Sequence, residues 1–314
     1  MSIRQRLSNI VHGRRNIVRR LQSLSNQVEQ CSTDREVQAI IYRRLLCDKA
    51  IHCTEIGVSD ERYCDEEIVV SLTSHGERIH DVPIVIESIM QGSVKPNKIV
   101  LWLSQEEFGG RSLPHILQQQ QKRGLRIAYC EDLKSYKKLI PSLYEYPEAC
   151  IITLDDDVLY EYDIVERLIR AHINHPNAIC ACRMHRIALD TTNHPISYLD
   201  WEQCISDQTL SNLNFPTGGG GTLYPPHGLH EEVKNKTAFQ SLCPTADDIW
   251  FYTMALLNNT PRIWVPTEKP DGYFHDLPSN VDGLYLVNTN PDNCLNDVQL
   301  KAVLDKYDLY GSLI

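Results

Sequence analysis

Two groups of adjacent aspartates are the side chains of this sequence best suited to chemistry. Asp155, Asp156 and Asp157 follow an apolar run, and Asp247 and Asp248 precede another. Neighbouring carboxylates repel one another, so such a group is costly at the end of a strand unless a cation lies nearby. Both groups therefore predict sites that bind a cation or move a proton.

The triplet has the geometry for a hard divalent ion. In an extended backbone, the side chains of Asp155 and Asp157 point to the same side. Oxygen ligands in this arrangement favour Mg²⁺ or Mn²⁺, which keep bound waters and contact substrate phosphates. The alternatives are a solvated acidic turn, or an Asp157 that only caps a helix.

Alternating strands and helices must position these aspartates. The pattern predicts strands over residues 68–72, 98–103, 125–130, 149–154, 178–184 and 262–265. Helices are predicted over 37–46, 81–92, 114–123, 136–143, 163–174 and 249–257. This order indicates an α/β fold with a mainly parallel sheet in three layers. Because ligands bind at the carboxyl ends of such strands, the residues after the first four strands should converge on one crevice.

Residues 217–225 contain a run that is too rich in glycine for the interior of a strand. Its four consecutive glycines, Gly218 to Gly221, let the backbone pass close to a ligand such as a sugar. The spacing matches neither a P-loop nor a dinucleotide-binding turn. A flexible loop without a binding role is the alternative.

Four segments together resemble the GT-A-fold nucleotide-sugar glycosyltransferases. They are VSLTSHGER (70–78), LDDD (154–157), TGGGGTLYP (217–225) and ADDIW (246–250), in the order found in that family. The resemblance is greatest to family-2-like bacterial enzymes that build lipopolysaccharide or capsule, and it covers about residues 66–290. It implies a GT-A, Rossmann-like three-layer sandwich, here preceded by an N-terminal helical extension.

The resemblance also implies a role for each matching residue. Asp155 and Asp157 would form the DxD pair around Asp156, with Asp155 at the ribose or a metal-bound water and Asp157 on Mn²⁺ or Mg²⁺. His275 would be a third metal ligand, although a lone histidine is more often structural or exposed. The other residues implied in donor binding are Thr73, Arg78, Asp132, and Lys137 or Lys138. Gly219 and Gly220 join them from the glycine run described above, beside the donor sugar or the acceptor. For Lys137 and Lys138, an exposed helix face is the alternative.

The second chemical requirement is a general base. Transfer with inversion needs a carboxylate that takes the proton of the acceptor hydroxyl. The resemblance implies Asp248 as this base and Asp247 as its partner at the metal or the acceptor. Plain N-capping of the helix is the alternative, and both can hold because the helix dipole would keep Asp248 ionised.

Aromatic and thiol side chains supply weaker candidates. Trp201, Tyr224 and Trp250 could stack on sugar rings, although Trp250 is as well explained by core packing. Cys180 and Cys182 share one face of a predicted strand and are interpreted as core thiols. The eleven cysteines contain no CxxC pair and indicate reduced, mostly buried thiols.

The predicted function is therefore an inverting, metal-dependent glycosyltransferase of the hexosyltransferase type. It would move a sugar from a nucleotide-diphosphate donor to a hydroxyl of a saccharide or lipid-linked acceptor in surface polysaccharide synthesis. A sugar-phosphate nucleotidyltransferase and a non-catalytic scaffold of an assembly complex are the alternatives. A haloacid-dehalogenase phosphatase carries its DxD loop on the first strand, whereas here the loop follows the fourth.

Charge is distributed unevenly along the chain. The net charge is −10, but residues 1–28 hold six arginines and no acid, so the remainder has 25 basic and 41 acidic residues. An acidic body argues against nucleic-acid binding. The apolar runs are too short to cross a membrane, and the arginine-rich start does not resemble a signal peptide, so the protein is expected in the cytoplasm.

The basic N-terminal segment has a heptad pattern. Apolar residues of 1–31 are spaced alternately by three and four, with an interruption at Arg14. Such a helix could pack on the body or a partner, self-associate as a coiled coil, or lie on the inner face of the cytoplasmic membrane. The expected domains are a helical extension over 1–64 and a glycosyltransferase domain over 65–314.

Overall fold

The computed structural model describes residues 36–268, 275–277 and 283–314. Within them, Cys47–Ile314 belong to one compact unit. The heptad segment 1–31 lies outside the described residues, so its predicted contacts stay predictions, as does the domain boundary at residue 65. No helix among the described residues is both long enough and apolar enough to span a bilayer.

The strands follow the predicted alternation. Those of the described residues are β1 (Ile68–Thr73), β2 (Lys98–Ser104), β3 (Leu125–Cys130), β4 (Cys150–Thr153), β5 (Val158–Leu159), β6 (Ile179–Ala181), β7 (Met184–Arg186), β8 (Asn214–Pro216), β9 (Thr222–Tyr224), β10 (Arg262–Trp264) and β11 (His275–Asp276).

The helices lie between and after these strands. Those of the described residues are α1 (36–52), α2 (Val82–Met90), α3 (Gln105–Phe108), α4 (His115–Gln121), α5 (Ile140–Glu145), α6 (Ile164–Asn174), α7 (Lys236–Leu242), α8 (Asp247–Leu257), α9 (Leu284–Asn288) and α10 (Leu295–Tyr307).

One seven-stranded sheet organises the fold, in the order β10-β6-β9-β4-β1-β2-β3. Strands β3, β2, β1 and β4 are parallel neighbours, and β6 and β10 form a second parallel pair. Strand β9 runs antiparallel between β4 and β6. The predicted α/β fold with a mainly parallel sheet is therefore confirmed.

Burial explains why β1 and β4 lie at the centre of the sheet. The first five residues of β1 and all four of β4 are buried, as expected for parallel strands covered on both faces. Helix α8 packs Trp250 and Phe251 into an aromatic part of the core, where Trp250 contacts Phe239. This packing fixes the start of α8, where Asp247 and Asp248 lie.

Two predicted elements are divided in the structure. The run 178–184 forms two strands, because after Ala181 the chain leaves the main sheet and β7 pairs with β8 instead. The helical run 136–143 is a 3-10 turn over Lys134–Lys138 followed by α5, which starts with a proline in its first turn. Strand β9 was not predicted, since only three residues follow the glycines before Pro225.

Candidate active site

The carboxyl ends of β1 and β4 bring the first acidic group into contact with Ser74 and Arg78. These strands are parallel neighbours in register, so the chain leaves both at the same edge of the sheet. The Ser74 hydroxyl donates to Asp156 Oδ2 at 2.5 Å. The Arg78 guanidinium lies 2.7 Å from Asp157 Oδ2 and 3.4 Å from Asp156 Oδ1. Of the convergence expected after the first four strands, the part between the first and the fourth is therefore present.

Lys138 joins the two acidic groups. Its Nζ lies 2.9 Å from Asp155 Oδ1 and 3.2 Å from Asp247 Oδ2, and its side chain is buried. Burial lowers the pKa of Lys138, but Asp155, Asp247 and Asp248 outweigh it and hold that pKa well above its ordinary value. We call Asp155, Asp156, Asp157, Asp247 and Asp248 the acidic cluster.

The glycine turn packs directly on this cluster. Asp248, the second residue of α8, accepts a hydrogen bond at 3.1 Å from the backbone N–H of Gly218. A Cβ at Gly218 would lie only 2.6 Å from Lys138 Nζ. A Cβ at Gly219 would meet Asp155 Oδ2 at 3.6 Å, an ordinary contact, and Gly220 is buried. The close approach at position 218 is thus made to Lys138 and, at 3.2 Å, to Asp248 Oδ1.

Tyr160 is a part of the site that the sequence did not reveal. Its hydroxyl accepts a hydrogen bond from the Asp155 backbone N–H at 2.7 Å and donates one to the Gly219 carbonyl at 3.1 Å. The ring is fully buried. Tyr160 therefore ties the loop after β4 to the glycine turn, and its place shortly after the acidic triplet was the only available signal.

Negative charge exceeds positive charge in the described residues of the site. Five carboxylates face Lys138 and Arg78, and Arg183 lies near Gly219. Burial, assisted by Asp155, raises the pKa of Asp157 to about 7 despite the opposing effect of Arg78. Burial also raises the pKa of Asp156, although Ser74 and Arg78 lower it. A cation would relieve this excess.

Opposing effects act on the ionisation of Asp248. Burial and the neighbouring Asp247 raise its pKa to about 7, although Lys138 and the hydrogen bond from Gly218 act in the opposite direction. That the helix dipole keeps this carboxylate ionised stays a prediction, and burial opposes it. The dipole acts at a helix start that is desolvated and shared with a second carboxylate.

The donor set fits the predicted divalent ion. Asp155 and Asp157 offer carboxylate oxygens, which Mg²⁺ and Mn²⁺ prefer. The backbone also brings His275 to this loop, because β11 pairs with β5 and places His275 opposite Leu159. The Leu277 N–H donates to the Asp157 carbonyl at 2.7 Å. The His275 side chain itself is exposed.

Three of the predicted donor-binding residues have their own partners away from the cluster. Lys137 is buried in an ion pair with Asp132. Asp132 also lines a cavity of about 180 Å³ together with Lys134 and Phe239. Thr73 Oγ1 donates to the Trp102 carbonyl of β2 at 2.9 Å.

A larger cavity opens beside the ends of β2 and β3. Its volume is about 410 Å³, and its lining includes Trp102, Cys130, Leu133 and Tyr144. Neither this cavity nor the smaller one is lined by a member of the acidic cluster. Of the predicted donor-binding residues, only Asp132 lines one of these two cavities, the smaller one.

The aromatic candidates for sugar stacking are core residues. Trp201, Tyr224 and Trp250 are each at most 5% exposed. The indole N–H of Trp250 donates to the Val233 carbonyl, and that of Trp201 to the Ile196 carbonyl. Because their rings are packed against other side chains, they present no free face to a sugar.

Comparison with known proteins gives likenesses among solved structures but none among family models or curated proteins. No protein-family model matches the chain, and no curated protein matches it either. Among solved structures, it is similar to the mannosyltransferase PcManGT from Pyrobaculum calidifontis in complex with GDP-Man and Mn²⁺. The sequence identity is 11% and the TM-score 0.32, over 48% of this chain and 44% of that one. The chain thus matches less than half of that protein's length.

Proposed function

We propose that the protein is a metal-dependent glycosyltransferase that uses a nucleotide-diphosphate sugar. The observation that carries this proposal is the position of Lys138, whose Nζ lies 2.9 Å from Asp155 and 3.2 Å from Asp247. Two acidic groups far apart in the sequence therefore form one site. Such a site can hold a cation and a phosphate at one side and activate a hydroxyl at the other.

Asp155 and Asp157 would hold Mn²⁺ or Mg²⁺, with His275 as a third ligand. The bound ion would neutralise the charge that develops on the leaving diphosphate. Arg78 and Lys138 are the cations beside these carboxylates, so a phosphate bound there would meet both side chains. Asp156 would be a positioning residue, because its carboxylate holds Ser74 and Arg78 in place.

Asp248 would be the general base. The acceptor hydroxyl oxygen forms a bond to the anomeric carbon while the bond from that carbon to the diphosphate oxygen breaks. The electron pair leaves with the diphosphate, and the hydroxyl proton passes to Asp248. A single displacement of this kind inverts the anomeric configuration. The raised pKa of Asp248, about 7, suits a group that must gain a proton near neutral pH.

The remaining assignments complete the proposal. Thr73, Asp132 and Lys137 would contact the nucleotide, and Gly219 and Gly220 the donor sugar, with Asp247 beside the metal or acceptor. The acceptor would be a saccharide or lipid-linked hydroxyl in surface polysaccharide synthesis in the cytoplasm. The sequence resemblance over residues 66–290 supports these finer assignments.

A thermal-shift panel tests the proposed function. UDP-, GDP-, CMP- and dTDP-sugars are added with and without Mn²⁺ to the full chain, to Asp157→Asn, and to Asp60→Asn as an exposed control. We expect one class of nucleotide sugar to raise the Tm of the wild type and of Asp60→Asn only with Mn²⁺. A preference for a nucleoside triphosphate with a sugar phosphate would favour a nucleotidyltransferase. A panel without any shift would contradict the proposal and favour a scaffold.

A further inference from the structure

Four side chains of types that commonly bind metals meet at the amino ends of β1 and β4, opposite the acidic cluster. They are Cys64, Glu66, Cys150 and His172, and we call them the thiol–imidazole cluster. Cys150 is the first residue of β4, whereas the acidic triplet follows the end of that strand. Glu66 lies just before β1, whose Ile68 is in register with Cys150. His172 reaches the same point from α6.

The ligand atoms of this cluster are already close together. One atom from each residue lies within 4.8 Å of all the others. His172 Nε2 lies 3.3 Å from Cys150 Sγ and 3.2 Å from Glu66 Oε2. The buried Nδ1 of the same ring has no hydrogen-bond partner among the described residues. His172 thus contacts Cys150 and Glu66 through Nε2, which points into the cluster.

These separations are near those of a tetrahedral zinc site. Zinc bonds of about 2.0–2.3 Å to nitrogen, oxygen and sulfur place tetrahedral ligand atoms about 3.3–3.8 Å apart. The two contacts of His172 Nε2 are close to the lower limit of this range. The remaining pairs need to close by no more than about 1.5 Å from their upper bound of 4.8 Å, which side-chain rotations can supply.

We propose that Cys64, Glu66, Cys150 and His172 bind one Zn²⁺. Two thiolates and an imidazole select zinc over Mg²⁺, Ca²⁺ or Mn²⁺, which prefer oxygen. Four protein ligands leave no open position, so the ion would be structural. Its role would be to fasten the segment that enters β1 to β4 and α6.

The four ligands differ in burial, which leaves one side of the site open to solvent. Cys150 and His172 are at most 1% exposed, whereas Cys64 and Glu66 are half-buried. An ion can therefore enter past Cys64 and Glu66 and reach the two buried ligands. The competing structure is a disulfide between Cys64 and Cys150, both of which are free thiols here. Neither structure depends on the proposed glycosyl transfer.

Cobalt binding tests the zinc site with a readout that the acidic cluster cannot give. The full chain is purified with reductant, stripped of metal, and titrated with Co²⁺. A thiolate ligand adds a sulfur-to-cobalt charge-transfer band, and tetrahedral coordination adds strong visible bands; oxygen ligands give neither. We expect both features to saturate at one equivalent and to disappear when Zn²⁺ displaces Co²⁺.

Variants show which residues are responsible. Cys64→Ser should lose the charge-transfer intensity of one thiolate and bind Zn²⁺ more than about a hundredfold more weakly. Cys180→Ser removes a buried thiol outside the cluster and should keep the spectrum, as should Asp157→Asn. Glu66→Gln serves as a second variant if Cys64→Ser fails to fold, and it should also weaken Zn²⁺ binding.

Three results would overturn the zinc site. One is a wild-type protein without a thiolate charge-transfer band, and another is an unchanged spectrum and affinity in Cys64→Ser or Glu66→Gln. The third is a Cys64–Cys150 disulfide in protein purified under reducing conditions, detected by mapping its peptides. Each of these results leaves the thermal-shift test of glycosyl transfer unaffected.

Discussion

The two ends of β4 carry different sets of ligands. At its carboxyl end, the oxygens of the acidic cluster lie beside the cations Arg78 and Lys138. At its amino end, Cys150 meets a histidine, a second thiol and one carboxylate. A site that must exchange a charged substrate benefits from oxygen ligands and nearby cations, because phosphates can join both. A site that only holds segments together is better served by four protein ligands.

This difference separates function from stability. Loss of a ligand at the carboxyl end should stop transfer and leave the fold intact, since its loops lie beyond the buried strands. Loss of a ligand at the amino end should weaken the fold, since the chain enters β1 there. The following changes test whether activity depends on the carboxyl end of β4 and stability on its amino end.

Asp157→Asn should have the largest effect on activity. The amide cannot supply the anionic ligand that the divalent ion needs, so transition-state stabilisation of several kcal/mol is lost. We expect metal-dependent turnover to fall by about a thousandfold or more, with the Tm within a few degrees of wild type. Turnover is measured by release of the nucleoside diphosphate, and wild-type turnover in this variant would remove Asp157 from the metal site.

Asp248→Asn should reduce the rate of glycosyl transfer and leave donor binding unchanged. A general base contributes about 10²–10⁴-fold to the rate, and the amide cannot accept the hydroxyl proton. The amide oxygen can still accept the hydrogen bond from Gly218, so the glycine turn is expected to stay in place. The donor-induced thermal shift should therefore persist. A variant with full activity would exclude Asp248 as the base.

Removal of metal should affect turnover through the carboxyl end of β4 and the Tm through its amino end. A strong chelator is expected to abolish turnover and to lower the Tm by about 5–10 °C, the effect of losing an ion bound at about a hundred times its Kd. Added Mn²⁺ should restore turnover, and added Zn²⁺ the Tm. Recovery of both properties with Mn²⁺ alone would mean that no zinc site stabilises the amino end.

Gly218→Ala should have the smallest effect, and Gly219→Ala is its matched control. The new Cβ would lie 2.6 Å from Lys138 Nζ, a buried group held by two carboxylates, whereas at position 219 the nearest atom is 3.6 Å away. Overpacking of this kind costs about 1–3 kcal/mol. Thermal unfolding should therefore show a lower Tm for Gly218→Ala alone. Equal Tm values would show that Lys138 moves without cost.

Sequence periodicity was sufficient for the centre of the fold. Strands β1, β2 and β4 are buried apolar runs bounded by turn residues, so their positions followed from local pattern, as did that of the partly exposed edge strand β3. The three-residue strand β9 has no such run. Its place between β4 and β6 depends on pairing with distant strands, a non-local property.

The acidic cluster could be predicted in part and the thiol–imidazole cluster could not, because only the first has a local sequence pattern. Adjacent aspartates are visible as a motif, and their placement at the end of β4 and the start of α8 agrees with prediction. That Lys138, rather than Lys137, contacts them depends on the turn after β3. The thiol–imidazole cluster draws its ligands from a linker, a strand and a helix, without the spacing of a zinc motif. Only the folded sheet brings them together.

The most direct test of the metal-dependent donor site is the paramagnetic resonance of free Mn²⁺ in the presence of protein and nucleotide sugar. One equivalent of Zn²⁺ is included so that the amino-end thiols do not compete. We predict that the donor selected by the thermal-shift panel removes about one equivalent of Mn²⁺ from solution with wild-type protein, and little with Asp157→Asn. Equal uptake by both proteins, or uptake unaffected by any nucleotide sugar, would contradict the account.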